Sequence, residues 1–290
     1  MKKSYLIMLL LAMSVGCQNE KTSPVSASKP AEKSPAAPAK TTPKEDHSAH
    51  GAASTPKQNN GAKSVFFRAP MNQAKVFTTF TVGFGVQGMT VTPAGEAVDD
   101  KSRGHHHLII NGKPIPAGQP VPMNETHKHF GKGQTEATVT LPVGQHTLTM
   151  QFADGAHISY GESMATSIQV NVVEAKEPPK VFFVAPKDKE KVKSPLSLKF
   201  GVQGMTVRPA GEDPLDHTSG HHHLIIDGKA PAYGVPVAKD ATHIHYGKGQ
   251  TEASIDLTPG KHTLTMQFAD GAHLSYGPGM STTIEVEVLP

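Results

Sequence analysis

The heptapeptide His146–Phe152, with the sequence HTLTMQF, has the periodicity that decides the fold. His146, Leu148, Met150 and Phe152 alternate with polar residues, and side chains at i and i+2 lie on the same face of a strand. Such alternation over a short segment indicates a β-strand with one apolar and one polar face. We therefore expect antiparallel strands that pack on one side.

The same period of two appears in Thr78–Val86 and Ile168–Val172, and no segment of this region has a helical period. Short strands separated by Gly and Pro favour a β-sandwich. The pattern Leu141-x-x-Gly144-x-His146 is similar to the tyrosine corner of immunoglobulin-like sandwiches, with His in place of Tyr. We predict an all-β, immunoglobulin-like sandwich in which His146 bonds back to the corner backbone.

Two dipeptides predict tight hairpin turns. Asn111-Gly112 and Asp154-Gly155 each follow a strand-like run. Both central residues of such a turn take positive φ, which Asn, Asp and Gly tolerate best. We expect a hairpin at each position.

The whole domain occurs twice. Residues 65–174 and 181–290 align without a gap, about 116 residues apart, as expected for a duplicated unit. The predicted organisation is one sandwich at 64–174, a short stiff linker at 175–180 and a second sandwich at 181–290. Histidines recur in register: His105, His106, His107, His127, His129, His146 and His157 become His221, His222, His223, His243, His245, His262 and His273.

The N-terminal region predicts export and membrane anchoring. Residues 1–16 have the basic start and short apolar core of a signal peptide, and they precede Cys17 as in lipoproteins. Acyl chains on Cys17 would anchor the protein in the membrane. Gln18 after the cysteine favours the outer membrane, facing the periplasm. Residues 17–63 are rich in Pro, Ala and Lys and predict a disordered tether.

Composition excludes several function classes. The net charge is only +3 and the lysines are scattered, so nucleic acid is not an expected partner. The segment Gly131–Glu136 lacks the spacing of a phosphate-binding loop and precedes no helix, so nucleotide binding is not expected either. Cys17 is the only cysteine, which excludes an intramolecular disulfide and a thiolate metal site. No arrangement predicts a catalytic centre, and we expect a protein that is not an enzyme.

Three motifs resemble a bacterial exported domain catalogued as domain of unknown function 4399. They are GHHHLIIDG from Gly220, HIHYGKGQTE from His243 and HTLTMQFADGAH from His262, and each has its counterpart in the first copy. The resemblance covers most of both copies and implies an exported bacterial domain. It implies no substrate, reaction or cofactor. The family usually has a single copy, so the duplication is a departure.

The histidine spacing predicts a transition-metal site in each copy. His105 and His107 share one face of a strand, His127 and His129 share a face if extended, and His157 follows a turn. Several imidazoles on neighbouring strands suit Cu(II), Zn(II) or Ni(II). Asp154 could be a ligand, orient a ligand or serve only the turn. The candidate ligands are His105, His107, His127, His129 and His157, with His221, His223, His243, His245 and His273 in the second copy.

Two functions are compatible with these residues. The first is metal buffering or delivery in the cell envelope. The second is a binding or scaffold module for an envelope protein or glycan, with the histidines holding loops in place. Of the methionines that recur in both copies, Met150 is expected in the core, whereas Met89 and Met164 remain open as thioether ligands that would suit Cu(I).

Overall fold

The computed structural model describes residues 62–290. The predicted signal peptide, Cys17 and nearly all of the predicted tether lie outside the described residues. Within residues 62–290, no helix has the length and apolar character needed to cross a membrane.

The first copy of the domain, here called repeat 1, consists of nine strands and one turn of 3-10 helix at Glu162–Met164. The strands are β1 (Ser64–Ala69), β2 (Ala74–Phe77), β3 (Thr79–Gln87), β4 (Thr90–Val91), β5 (Arg103–Ile110), β6 (His127–His129), β7 (Glu136–Thr140), β8 (Gly144–Ala153) and β9 (Ala165–Val173).

Repeat 2, the second copy, has the same elements in the same order, with its 3-10 turn at Pro278–Met280. Its strands are β10 (Lys180–Ala185), β11 (Glu190–Val192), β12 (Leu196–Gln203), β13 (Thr206–Val207), β14 (Ser219–Ile226), β15 (His243–Tyr246), β16 (Glu252–Ile255), β17 (Gly260–Ala269) and β18 (Ser281–Val288).

Each repeat is a sandwich of a small and a large sheet. In repeat 1 the small sheet has the order β1-β3-β7, and the large sheet has the order β2-β9-β8-β5-β4, with β6 paired to β5. Repeat 2 has the equivalent sheets β10-β12-β16 and β11-β18-β17-β14-β13, with β15 on β14. The prediction of two tandem all-β sandwiches is confirmed.

The apolar faces of the two sheets enclose the core of each repeat. In repeat 1 the core contains Phe84 from the small sheet and Leu108, Leu148 and Phe152 from the large sheet, all at most 1% exposed. These are the alternating positions that the period of two selects. Burial of this apolar area is the main stabilising contribution to a domain that has no disulfide in its described part.

The predicted histidine corner is present in both repeats. The ring Nε2–H of His146 donates to the carbonyl oxygen of Pro142 at 2.9 Å, and His262 makes the same bond to Thr258 at 3.0 Å. Asn111 adds a bond on the other side, because its side chain lies 3.1 Å from Nδ1 of His146. The histidine thus joins the start of β8 to the end of β5.

The predicted turn geometry is wrong at both dipeptides. Asn111 has a φ of 56°, but β5 continues into a long loop instead of a hairpin. After β8 the chain does reverse, closed by a hydrogen bond from the N–H of His157 to the carbonyl of Asp154, but the positive φ of 66° falls on His157. Neither Asp154 nor Gly155 needs a left-handed conformation there.

The polar face of β8 is also buried, contrary to the expected one-sided packing. Thr149 and Gln151 are both 0% exposed. The loop between β5 and β6 covers them, since Gln151 accepts a hydrogen bond from the N–H of Ile115 and Thr149 donates to the carbonyl of Gly112. A second buried layer therefore lies on the outer face of the large sheet, and His105 and His107 of β5 belong to it.

Candidate metal centre

His105 and His107 lie side by side on the outer face of β5. Both are 0% exposed, and their Nε2 atoms are 3.0 Å apart. His106 points to the opposite face, where it packs on Phe84 and Phe152 in the core with ring centroids 5.3 and 5.0 Å away. The i, i+2 alternation of a strand thus separates the three consecutive histidines into one pair and one core residue.

Two further histidines join this pair from neighbouring segments. The antiparallel register of β5 and β6 places His129 directly opposite His107. His157 comes from the turn after β8, and its Nε2 lies 3.0 Å from Nε2 of His129. The positive φ of His157 is uncommon for a non-glycine residue and directs its ring back over the sheet.

Together these residues form a cluster, which we call the histidine quartet: His105, His107, His129 and His157. All six pairs of rings lie close, with centroids 4.6 to 5.9 Å apart. One ligand nitrogen each from His105, His107 and His129 lie within 4.8 Å of one another, close enough to share an ion. The inner pair is fully buried, whereas His129 and His157 are half-buried and form the rim.

Repeat 2 contains the same quartet, formed by His221, His223, His245 and His273. Nε2 of His221 and Nε2 of His223 are 3.0 Å apart, and those of His245 and His273 are 3.2 Å apart. Ring centroids lie 4.8 to 6.1 Å apart. His273 repeats the positive φ of His157, at 65°.

Burial keeps the inner imidazoles neutral. Loss of solvation is the largest cause that lowers the pKa of His105 to about 4 and of His221 to about 3, and neighbouring imidazoles lower both further. Burial also lowers the pKa of His107, His223 and the rim residue His129. At pH 7 these rings have a free lone pair, which is the form that binds a metal ion.

The protein leaves the outer nitrogens of the inner pair without partners. Nδ1 of His105 and Nδ1 of His107 are buried and have no hydrogen-bond partner, and the same is true of His221 and His223. Nε2 of His105 and Nε2 of His107 hydrogen-bond to each other, so one of the two rings donates and the other accepts, and His221 and His223 form the same pair. Binding an ion through Nε2 would leave the single ring proton of each residue on Nδ1.

Asp154 serves the turn and belongs to no ligand set in the described structure. Its Oδ1 accepts the N–H groups of Ala156 and Ile158, and its Oδ2 accepts Nζ of Lys101 at 2.6 Å. Burial alone would raise the pKa of Asp154, but these donors lower it below its usual value. Of the three roles that the sequence left open, the contacts support the turn, which in turn holds His157 in place.

His127 and His243 lie outside the quartets, although the sequence named them as candidate ligands. Nδ1 of His127 lies 3.1 Å from the side-chain oxygen of Asn124, and Nδ1 of His243 lies 2.8 Å from the carboxylate of Asp240. The register pairs His127 with Ile109 rather than with a histidine of β5. The structure therefore brings together four of the five candidates in each repeat.

A glycine next to the quartet was not recognised from the sequence. A Cβ atom on Gly131 would lie 2.2 Å from Cε1 and 2.4 Å from Nε2 of His129, and one on Gly247 would lie 2.1 Å from Cε1 of His245. Any larger residue would push the rim histidine aside. The sequence signal was a glycine two positions after the second histidine of Thr-His-x-His in both copies.

Comparison with protein families identifies the domain. The family described as "Domain of unknown function (DUF4399)" matches residues 82–173 and 198–289. The chain belongs to this family, and it contains the family's domain twice. No functionally curated protein is detectably similar to it in sequence.

Solved structures similar to the chain include modules of three other proteins. Fibronectin(III)-like modules of Clostridium thermocellum CbhA have 11% identity and a TM-score of 0.28, covering 77% of this chain and 93% of theirs. The N-terminal Ig1-2 module of the Drosophila receptor protein tyrosine phosphatase DLAR has 6% identity and a TM-score of 0.26, covering 78% and 100%. SGBP-B of a Bacteroides ovatus mixed-linkage glucan utilization locus, solved with a heptasaccharide, has 12% identity and a TM-score of 0.21, covering 78% and 47%.

Proposed function

We propose that this protein binds transition-metal ions, one in each histidine quartet, and buffers or delivers them in the cell envelope. The observation that carries the proposal is the convergence of four imidazoles in each repeat, with Nε2 atoms paired at 3.0 Å in repeat 1 and at 3.0 and 3.2 Å in repeat 2. Such a group of nitrogens is far more than the packing of a sandwich requires. A bound ion would join β5, β6 and the turn after β8.

The donor set supports Cu(II), Zn(II) or Ni(II). Imidazole suits all three ions, whereas Ca(II) and Mg(II) require oxygen ligands. No thiolate or carboxylate belongs to the quartet, so the bound ion would keep its full positive charge. Four protein ligands would also complete a tetrahedral or square-planar ion. That supports storage or transfer rather than hydrolysis, which needs an open coordination position.

We place this function in the envelope on the basis of the N-terminal sequence. The signal-peptide pattern, Cys17 and the long polar segment after it favour a lipid-anchored protein whose sandwiches lie away from the membrane surface.

A second candidate function is a binding module for an envelope protein or glycan. The observation that favours it is that the Nε2 atoms of the quartet hydrogen-bond to one another. The quartet could therefore hold β6 and the turn of His157 on the sheet without an ion. In that case the histidines stabilise the fold, and the partner would bind elsewhere on the surface.

Metal titration of matched histidine variants tests the proposal. The full chain, purified without an affinity tag, should bind two equivalents of one metal against a competing chelator of known affinity. The variant His129→Ala should retain tight binding only in repeat 2, giving one equivalent. His127→Ala is the matched control, because it lies in the same Thr-His-x-His motif outside the quartet, and it should still bind two.

Thermal unfolding with and without a chelator separates the two functions. A ligand that binds only the native state raises its stability, so a chelator should lower the Tm of the metal-loaded protein. If Cu(II), Zn(II) and Ni(II) all fail to bind tightly, and His129→Ala lowers Tm equally with and without chelator, the quartet is a structural element and the second candidate is favoured.

A further inference from the structure

Repeat 1 contacts two loops of repeat 2. The first is the β13–β14 loop, residues 208–218, which pairs with the edge strand β2. Lys75 in β2 donates its N–H to the carbonyl of Leu215, and its own carbonyl accepts the N–H of His217, at 2.8 and 2.9 Å. Nζ of Lys75 also forms an ion pair with the buried carboxylate of Asp216 at 2.8 Å. These contacts fix the loop before β14 against repeat 1.

The second is the β14–β15 loop, residues 227–242, which lies against the small sheet of repeat 1. The N–H of Tyr233 donates to a carboxylate oxygen of Glu136 in β7 at 3.3 Å. A Cβ atom on Gly234 would lie 3.0 Å from Cβ of Ala69, so the loop approaches β1 closely. Tyr233 and Gly234 are both buried. This loop therefore also rests on repeat 1.

The same two loops hold the turn that carries His273 of the repeat 2 quartet. In the β14–β15 loop, Val237 donates its N–H to the carbonyl of His273 at 3.1 Å. In the β13–β14 loop, Gly211 donates its N–H to the carbonyl of Gly271 at 2.9 Å. Each loop is thus bonded to the turn on one side and to repeat 1 on the other.

The side chain of His217 adds a second link between the contact and the turn. Its ring is 2% exposed, and Nε2 faces the carboxylate of Asp270 at 3.8 Å. The other oxygen of that carboxylate accepts the N–H groups of the two residues that flank His273. In repeat 1 the counterpart of His217 is Lys101, whose side chain is 65% exposed. Displacement of the β13–β14 loop would therefore remove support from the turn of His273.

The equivalent β5–β6 loop of repeat 1 faces water on the side away from its turn. Ala117 and Gly118 stand where repeat 2 has Tyr233 and Gly234, and both are exposed. A Cβ atom on Gly118 would meet no atom of the described residues within 4 Å. The contacts that repeat 1 makes with repeat 2 lie on β1, β2 and β7, and these strands carry no histidine of the quartet. The dependence between the two sites therefore runs in one direction.

We propose that Lys75 and Glu136 of repeat 1 are positioning residues for the metal site of repeat 2, whereas the site of repeat 1 is independent of repeat 2. This inference rests on the proposed function, since it concerns the same quartets. A site whose ligands are already held in place loses less free energy to ordering when it binds. Loss of the contact should weaken metal binding in repeat 2 alone, and an ion bound there should in turn strengthen the contact.

Competition between the full chain and a chelator of known affinity for Cu(II) tests this proposal. Cu(II) is the probe because sites of imidazole nitrogens generally bind it more tightly than Zn(II) or Ni(II). His129→Ala leaves only the site of repeat 2, and His245→Ala leaves only that of repeat 1. Lys75→Glu sets a second carboxylate beside Asp216. It should weaken Cu(II) binding about 10-fold in the first background and leave the second unchanged.

Three further variants serve as controls in both backgrounds. Lys191→Glu is the same substitution at the equivalent position of repeat 2, where the side chain is 65% exposed and lies 3.4 Å from Glu287 of its own repeat. It should leave both sites unchanged. Lys75→Arg keeps the cation and should retain the affinity of the repeat 2 site. Glu136→Ala removes the acceptor of the Tyr233 N–H and should weaken that site several-fold, which keeps the test decisive if Lys75→Glu does not fold.

Amide hydrogen exchange of the metal-free chain separates failure of this inference from failure of the proposed function. Lys75→Glu should accelerate exchange at Val237, whose N–H bonds to the turn of His273, and not at its counterpart Val121. Unchanged exchange at Val237, or an equal loss of Cu(II) affinity in both backgrounds, would overturn the positioning role and leave the proposed function standing. If neither single-site chain binds Cu(II) tightly, the proposed function fails and this inference fails with it.

Discussion

Acidification should unfold the metal-free protein well above the pH at which ordinary carboxylates titrate. Each repeat buries three consecutive imidazoles, and burial is the largest cause that lowers the pKa of His105 to about 4 and of His106 to about 3. His107 is lowered as well. The folded state therefore binds fewer protons than the unfolded state, in which the pKa is about 6.5. The free energy of unfolding is therefore highest above pH 6.5, where these histidines are neutral in both states. It decreases as the pH falls below 6.5, because only the unfolded state then takes up protons readily.

The size of the effect follows from this difference in pKa. At pH 5, a histidine with an unfolded pKa of about 6.5 and a folded pKa of 4 or below lowers the free energy of unfolding by about 2 kcal/mol. Three such residues lower it by about 6 kcal/mol for each sandwich, if their effects add. This approaches the total stability of a typical domain, about 5–15 kcal/mol. We expect unfolding between pH 6 and pH 5.

Urea unfolding of the chelator-treated protein at pH 7.5, 6 and 5, followed by circular dichroism, measures this effect. His106→Leu removes the imidazole that lies in the core, so it should reduce the loss of stability in repeat 1 by about one third. His127→Ala, whose ring lies outside both the quartet and the core, is the matched control variant. A free energy of unfolding that stays constant from pH 7.5 to pH 5 would refute the reasoning.

Three further results are expected from single substitutions. Gly131→Ala should displace the ring of His129, because the added Cβ would lie 2.2 Å from its Cε1, and should weaken metal binding by repeat 1 about 10- to 100-fold in a chelator competition. His146→Ala loses the hydrogen bond to Pro142 and should lower the free energy of unfolding by about 1 kcal/mol in urea; no change would argue against the corner bond. Asp216→Lys places two cations together at the contact between the repeats and should increase the radius of gyration in small-angle X-ray scattering, whereas an unchanged radius would show that the ion pair is dispensable.

The inner half of the quartet was predictable from local sequence because it depends only on strand periodicity. His105 and His107 are two residues apart, and any extended segment places them on one face. The corner histidine was predictable for a similar reason, since Leu141 and His146 stand at a fixed spacing. The duplication strengthened both predictions, because the same spacings recur in repeat 2.

The positions of the rim residues, His129 and His157, depend on strand pairing and turn geometry that local sequence patterns do not determine. His127 and His129 share a face in an extended segment, and only the register that sets His129 opposite His107 selects between them. The orientation of His157 depends on its positive φ, which the Asp-Gly turn signal assigned to other residues. Burial of Gln151 requires the β5–β6 loop to cover the sheet, and alternation alone predicts a solvated face there.

The contact between the repeats makes their order in the chain matter. Repeat 1 contributes a strand edge with Lys75, whereas repeat 2 contributes a loop with Asp216, so the two copies use different surfaces. If the copies were exchanged, the ammonium of Lys101 would lie where His217 is buried, and Tyr233 would become exposed. The duplicated domains have therefore diverged into an N-terminal and a C-terminal copy that are not interchangeable. An engineered single copy would therefore expose a surface that its neighbour covers in the full chain: the β2 edge with Lys75 in repeat 1, or the loop with Asp216 in repeat 2.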